Sequence, residues 1–525
     1  MAENLRFKTI QKKGIQKMSK NKPNIVFILS DQHNAKLLGC KQHPYVKTPY
    51  LDKMASNGVR FDNAITQNPI CTPSRISYIS GQYPHNHGYY GNSGPNPEGL
   101  PTLMGHFRNH GYATAAVGKI HCPEYWVEDD CDTYIEVSGA CSIGGGPEYH
   151  RYLEEEKVKE TFDKEQYKSP WGGQSCDGIP SKLDYKYSRE GFTISESLKF
   201  MKKASQEQKP FCIHVSLPKP HQFYTPTQEF WDLYEGMELE LPPNADYDMT
   251  GKAPHLIAKE KKWRGGGWES FEPKTYEAAR MRKYRAYIGC VSQVDYAVGQ
   301  ILEWLEQNGL EENTIVVYTS DHGDNACEHG IMEKAPGICT DAVTRIPAIW
   351  QWKGHLKEGH VASEIVETVD VSATLCSLAG IDRMETSDGK DITPLLQGEE
   401  KTIHSIGVTE FAWSKSVRKG NFRYIYYPRE MFRAEYPDGF GELYNLEEDP
   451  WEMKNLYFEE KYTKIVQEMQ RDLMEWMVMT TRNKTLMGIR ENAGKQWKRR
   501  YKNDVLKDGK LPPIQLRDMK TIEYL

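Results

Sequence analysis

Asn24-Ile25-Val26-Phe27-Ile28-Leu29-Ser30, running into Asp31-Gln32-His33, is the stretch on which the fold turns. Its apolar residues are continuous rather than alternating, the pattern of a strand buried on both faces of a parallel sheet. Similar runs recur at 112–117, 211–217, 314–320 and 346–350. Helical patterns separate them, at 48–58, 103–110, 194–201, 276–308 and 369–378, several stopped by a glycine. Buried strands alternating with helices predict an α/β fold: a large doubly wound, mostly parallel sheet flanked by helices. After about residue 400 the pattern changes. Short antiparallel strands are expected at 406–411, 416–418 and 422–427, with a helix over 460–480 packed on them. The expected organisation is a disordered tail over 1–20, a main α/β domain over 21–400, a smaller C-terminal α+β domain over 401–485, and a basic extension over 486–525.

The chain has 525 residues, 38% hydrophobic and 27% charged, a globular rather than disordered composition. A net charge of −6 argues against a general nucleic-acid binder. No apolar run is long enough to span a bilayer, so no membrane partner is expected. The N-terminus is basic but lacks the apolar core of a secretory signal. A cytoplasmic location is expected for the chain as given, and a periplasmic or secreted one if a leader has been removed. Eleven cysteines, an odd number without paired spacing, argue against a disulfide framework. Cys122, Cys131 and Cys141, the closest group, lack zinc-site spacing. The stretches 122–190 and 222–275 show little periodicity and read as surface excursions. They carry Trp171, Trp263 and Trp268, which could stack on sugar rings; ordinary loop packing is an equally good reading of each.

Chemistry concentrates where strands end. Asp31-Gln32 follows the first strand, Lys119 with His121 the second, His221 the third, and Asp321-His322 the fourth. Taken singly, each is as well read as a turn former or a hydrogen-bonded histidine. Parallel strands share one carboxyl edge, however, which is where open α/β sheets build their sites. A further segment, Cys71-Thr72-Pro73-Ser74-Arg75, opens a short helix that Gly81 closes. Proline suits the first turn, and Cys71 would sit at a helix N-terminus that favours negative charge. Arg75 lies one turn on, on the same face. A nucleophile beside a guanidinium suggests work on an anionic ester.

Cys71-Thr72-Pro73-Ser74-Arg75 resembles the Cys-x-Pro-x-Arg signature of the type I sulfatases, in the alkaline-phosphatase-like superfamily. The resemblance extends over roughly 22–460. It takes in Thr48-Pro49, Val117-Gly118-Lys119, Ser320-Asp321-His322-Gly323, Lys334, Arg345-Ile346-Pro347, Asp388-Gly389 and Glu442-Leu443-Tyr444-Asn445-Leu446. It implies a sulfuric ester hydrolase, with Cys71 converted by a formylglycine-generating maturation enzyme to an aldehyde whose gem-diol is the nucleophile. A covalent sulfo-enzyme intermediate then collapses through the second hydroxyl. The resemblance implies Cys71, Arg75, Lys119, His121, His221 and Lys334 as catalytic residues. It implies Asn92, Lys119, His221 and Lys334 as substrate contacts. For one divalent metal it implies Asp31, Gln32, Asp321, His322 and modified Cys71 as ligands. Asp-Gln and Asp-His pairs, in place of the commoner Asp-Asp and Asp-Asn, resemble the choline-sulfatase and phosphonate-monoester-hydrolase branch. Oxygen ligands make calcium the expected ion, and an imidazole brings in manganese, with magnesium a further alternative. The expected substrate is a small sulfated molecule, a saccharide first. The alternatives are phosphonate monoester or phosphodiester hydrolysis on the same fold, and a non-catalytic binder of sulfated glycans.

Overall fold

The quoted stretch forms β1 (Asn24–Asp31), with every residue buried, at the centre of an eight-stranded sheet. In the computed structural model the residues described are 22–482 apart from 95, 96, 98, 124, 139–144, 167–177, 266–274, 335 and 336. The expected tail and extension, Trp171, Trp268 and Cys141 lie outside them. The other strands of the sheet are β2 (Val59–Ile65), β3 (Ala113–Gly118), β4 (Thr133–Glu136), β5 (Phe211–Pro220), β6 (Thr314–Ser320), β7 (Arg345–Gln351) and β8 (His360–Glu367). Their order is β4-β3-β5-β1-β6-β7-β2-β8. β1 pairs in parallel with β5 and β6, and β3 in parallel with β4 and β5. Only β7 runs antiparallel to its neighbours. Thus β3, β5, β1 and β6 are consecutive and point the same way, so four polar strand ends meet on one edge.

The helices that matter to the site are α1 (Pro49–Ser56), α2 (Cys71–Ser80), α3 (Leu103–Asn109), α4 (Arg189–Gln206), α5 (Tyr276–Gln307), α6 (Asp370–Leu378) and α7 (Thr463–Thr480). Two apolar clusters cover the two faces of the sheet. One holds Ile25, Phe27 and Leu29 against α2, α3 and α6; the other holds Val26 and Ile28 against α1, α4 and α5. Alternate residues of β1 therefore fill opposite layers, which is why its apolar run is unbroken. A second sheet of four antiparallel strands, β9 (Gly407–Glu410), β10 (Lys415–Lys419), β11 (Phe422–Tyr426) and β12 (Gly441–Asn445), carries α7 on one face.

Four differences from the expected pattern have physical causes. β4 is short and half-buried throughout, and β8 alternates exposed Val361 and Ser363 with buried Ala362 over its first half, so neither shows a continuous apolar run. β12 carries a buried Glu442, whose carboxylate accepts from the Ala253 N–H at 2.8 Å and the Tyr444 hydroxyl at 2.7 Å; the strand reads as polar although none of it is exposed. The excursions contain cores of their own. Tyr149, Leu153, Phe162, Leu183 and Phe192 pack together in the first, and Tyr224, Trp231 and Tyr234 join α5 in the second. Trp263, half-buried, packs against Tyr276 and Ala279, with the Lys283 ammonium 5.1 Å from its ring centre.

α5 is buried over most of its circumference, not along one stripe, and several of its polar side chains hold neighbouring elements. Asp295 accepts from the Leu51 N–H at 2.7 Å and the Tyr50 N–H at 3.3 Å, holding the first turn of α1. Burial pushes the Asp295 carboxyl up to about 7, with the backbone N–H groups opposing. A carboxyl raised on folding contributes stability that is complete below its unfolded value and lost as pH rises toward 7. Asp295→Asn should therefore gain on the parent by about 2–3 kcal/mol between pH 5 and pH 8, on top of a constant offset from the altered cap. Urea denaturation of both proteins at each pH checks this; a pH-independent difference contradicts it.

Candidate active site

Cys71 is the first residue of α2, and Gly81, at φ 69°, ends that helix in the left-handed conformation that glycine adopts without strain. Every residue of α2 is buried. The helix N-terminus abuts the edge formed by β3, β5, β1 and β6. The Cys71 Sγ lies 3.2 Å from His322 Nε2 and 3.7 Å from Asp31 Oδ1. The imidazoles of His121 and His221 also stand near the sulfur. Burial alone would raise the thiol, but Lys334, Lys119 and His322 lower it well below its ordinary value. The position is one where an anion is stabilised.

Arg75, fully buried one turn on, spends its donors on protein. Its Nη2 donates to Asp31 Oδ2 and its Nε to Asp321 Oδ2, both at 2.9 Å. Its Nη1 donates to Ser216 Oγ at 2.7 Å and to the Lys119 carbonyl. The guanidinium thus stands behind the two carboxylates and fixes their planes. Asp321 Oδ1 accepts from the backbone N–H groups of Gln32 at 3.0 Å and His322 at 2.9 Å. His322 donates from Nδ1 to the Gly323 carbonyl at 2.9 Å, which turns Nε2 toward the sulfur; burial acts to lower the imidazole, but Asp321 outweighs it and holds His322 above its ordinary value.

The donor atoms of Asp31, Cys71, Asp321 and His322 all lie within 4.8 Å of one another. His322 Nε2 is 3.9 Å from Asp31 Oδ1 and 3.7 Å from Asp321 Oδ1. Burial raises Asp321, and the neighbouring charge of Asp31 adds to the rise although Arg75 opposes it. Burial and Cys71 also act to raise Asp31, but Lys119, His221 and Arg75 hold it well below the ordinary carboxylate range. Two carboxylates so close, with one still reluctant to ionise, are short of positive charge where their Oδ1 atoms face each other. Two carboxylate oxygens and an imidazole around that point fit a divalent cation.

Gln32, in the left-handed region at φ 72°, borders this cluster. Its Oε1 accepts from Lys334 Nζ at 2.6 Å, and its Nε2 donates to Asp324 Oδ2 at 2.5 Å and Gln222 Oε1 at 3.1 Å. The amide oxygen has a second lone pair that an ion could use. Lys119 is aimed at Asp31, with which it pairs. Gly118 makes that turn possible: at φ 117°, an added Cβ would lie 1.8 Å from the Ser216 carbonyl oxygen. Glu136 of β4 accepts from the Ile120 and His121 N–H groups at 2.9 and 3.0 Å, fixing the loop that carries both Lys119 and His121. Asn92 is exposed, and its Oδ1 accepts from the Thr72 N–H at 3.3 Å, so it serves the first turn of α2.

Several residues that hold this arrangement were not readable as site residues. Ser216 lies within β5. Tyr287 lies among the buried residues of α5, yet its hydroxyl donates to the Gln32 carbonyl at 2.6 Å. Asp324, three residues after Asp321, turns back to hold Gln32 and accepts from the Tyr224 hydroxyl at 2.7 Å.

The sulfatase family model matches residues 23–381, more than half of the chain. The chain belongs to the sulfatase family. A second model, the C-terminal region of N-sulphoglucosamine sulphohydrolase, matches residues 327–479 of this sulfatase, across β7, β8 and the small sheet. Among its relatives is a choline-sulfatase of Rhizobium meliloti (strain 1021), 27% identical over 453 residues that cover 84% of this chain and 83% of the relative. The fold is shared with a protein solved in complex with its substrate D-glucosamine-2-N,6-O-disulfate. That match has a TM-score of 0.68 at 21% identity, over 88% of this sulfatase and 99% of that chain. It is shared also with a phosphonate monoester hydrolase from Silicibacter pomeroyi, at a TM-score of 0.73 and 20% identity, over 87% and 96% of the two chains. This sulfatase is therefore an enzyme, and no helix among its described residues is long and apolar enough to cross a membrane.

Proposed function

We propose that this sulfatase hydrolyses the sulfate monoester of a small saccharide, using formylglycine derived from Cys71 and one divalent metal, calcium first and manganese or magnesium next. The observation that carries this reading is the Cys71 sulfur, 3.2 Å from His322 and 3.7 Å from Asp31, at a buried helix N-terminus. Asp31, Asp321 and His322 would hold the metal, with Gln32 and the modified Cys71 at its margin. When bound, the ion supplies positive charge against the ester oxygens and the nucleophile. Oxidation of Cys71 to the aldehyde supplies a hydrated carbon with two hydroxyls, one to attack sulfur and one to release sulfate.

The chain's own side chains do the rest. Lys119, paired with Asp31, and Lys334, on the Gln32 amide oxygen, both act on residue 71 and would neutralise the non-bridging ester oxygens, which carry more charge as the bond to the alcohol breaks. Burial acts to lower Lys334, but Cys71, Asp31 and Asp321 outweigh it and keep the ammonium protonated. Burial, with Lys119 and Lys334, pushes His221 down to about 4. His221 is then neutral near pH 7 in the free enzyme. An anionic ester lying against both lysines offsets the repulsion that they add to burial, which favours a protonated His221 beside the leaving oxygen. Arg75 keeps both carboxylates oriented and touches no substrate.

The Asp-Gln and Asp-His pairs favour one second reading, a phosphonate monoester hydrolase on the same frame. Turnover of 4-nitrophenyl sulfate and phenyl 4-nitrophenylphosphonate, at matched metal, separates the two. Sulfate turnover should exceed phosphonate turnover by at least about tenfold in kcat/KM, a difference of ~1.4 kcal/mol in transition-state stabilisation. Faster phosphonate turnover contradicts the proposal. Chelation should abolish both, and restored activity across calcium, manganese and magnesium ranks the ions.

A further inference from the structure

A cavity of about 590 Å³ shares two wall residues with the catalytic centre, Lys119 and His221. From there it runs between the loop after β5 and the first excursion, beneath Tyr149 and Phe162. Its volume suits a sugar of one or two rings. Its position is set by the chemistry already described: Lys119 and His221 are the groups that face the ester and its leaving oxygen, so the alcohol departs toward this cavity.

Among the described residues, the charged side chains that line the cavity are mostly basic. Beyond Lys119, it is lined by Lys164 and Lys182, exposed at the mouth, of which Lys164 pairs with Glu160 at 2.5 Å, and by Arg189 and Lys219, half-buried within. The guanidinium of Arg189 lies 5.7 Å from the centre of the Phe162 ring. The acid among the lining residues is Glu190, and its carboxylate is occupied. Oε1 accepts from the Lys219 N–H at 3.2 Å and Oε2 from Gln293 Nε2 at 3.0 Å. A low-dielectric cleft lined by one sign of charge focuses its field on what enters.

We infer that the alcohol moiety of the substrate carries a second anionic group, a further sulfate or a carboxylate, which the basic wall of this cavity binds while Lys119 and His221 face the scissile ester. This inference rests on the sulfatase reading and narrows it to polyanionic saccharides. It also separates this enzyme from an ester of a quaternary ammonium alcohol, which the same wall would repel.

The test is competition. Hydrolysis of 4-nitrophenyl sulfate by the metal-loaded enzyme is inhibited in turn by D-glucosamine-2-N,6-O-disulfate, N-acetylglucosamine 6-O-sulfate and choline sulfate. The disulfate should inhibit at least about tenfold more tightly than the monosulfated sugar, and choline sulfate most weakly. The preference should shrink several-fold in 0.5 M sodium chloride. It should narrow to below about threefold in Lys182→Gln/Lys219→Gln, whose exposed and half-buried side chains can be replaced without opening the core. Equal inhibition by the two sugars, or tightest inhibition by choline sulfate, overturns the inference. An enzyme that leaves 4-nitrophenyl sulfate untouched contradicts the sulfatase reading instead. Calorimetric titration of the two sugars into that protein then decides the cavity by the same ratio.

Discussion

Cys71→Ser is expected to lower steady-state turnover of a sulfate ester by at least about 10³-fold while leaving the fold intact. Serine is close in size to the buried thiol it replaces and fits the same helix N-terminus, so stability should change by less than about 1.5 kcal/mol. The serine hydroxyl could attack sulfur and expel the alcohol, forming one O–S bond as another breaks. It has no second hydroxyl on the same carbon to release the sulfate. The variant should therefore give one equivalent of alcohol per enzyme at most, followed by arrest. Rapid-quench measurement of alcohol release, with intact-protein mass measured in parallel, reads both features. Sustained turnover by Cys71→Ser would show that the second hydroxyl is unnecessary and would sink the proposed chemistry.

Arg75→Leu should be as damaging, for another reason. The guanidinium is enclosed with Asp31 and Asp321, and each carboxylate Oδ2 takes a 2.9 Å hydrogen bond from it. Removing it leaves buried carboxylate oxygens unpaired, which costs about 3–5 kcal/mol of stability when one partner of a buried pair is deleted. The planes of both carboxylates are also released, and loss of such outer support weakens metal binding by about 10–100-fold. Arg75→Lys separates the two effects. It restores one charge without the fork that spans both acids, so stability should recover in part while the apparent metal affinity stays low. Metal titrations of activity on Arg75→Lys, beside denaturant melts of both variants, give the comparison. Full recovery of metal affinity by lysine would show that charge alone, not the two-armed geometry, is what Arg75 supplies.

The central sheet was legible because β1, β5 and β6 are buried on both faces and say so in unbroken apolar runs. β4 and β8 were not, because edge and half-exposed strands carry polar residues. β12 escaped for the opposite reason: its Glu442 is buried but matched, a state no local pattern announces. The same division holds at the site. Asp31 ends β1, Lys119, His221 and Asp321 stand directly after β3, β5 and β6, and topology brings these strand ends together. Cys71 and Arg75 share one turn of helix. Ser216, Tyr287 and Asp324 act only through contacts that the finished fold creates, such as the Tyr287 hydroxyl on the carbonyl of Gln32, 255 residues away in sequence. Arg75 shows the limit on roles: the sequence reading placed its cation against the ester, whereas the fold turns it inward onto the two acids.

The account depends most on the chemical state of residue 71. The direct measurement is the mass of the proteolytic peptide spanning Cys71, from protein made in its native host, with and without an aldehyde-reactive hydrazide. The account predicts the formylglycine mass and its shift by the hydrazide. An intact thiol in catalytically active protein from that host would contradict it.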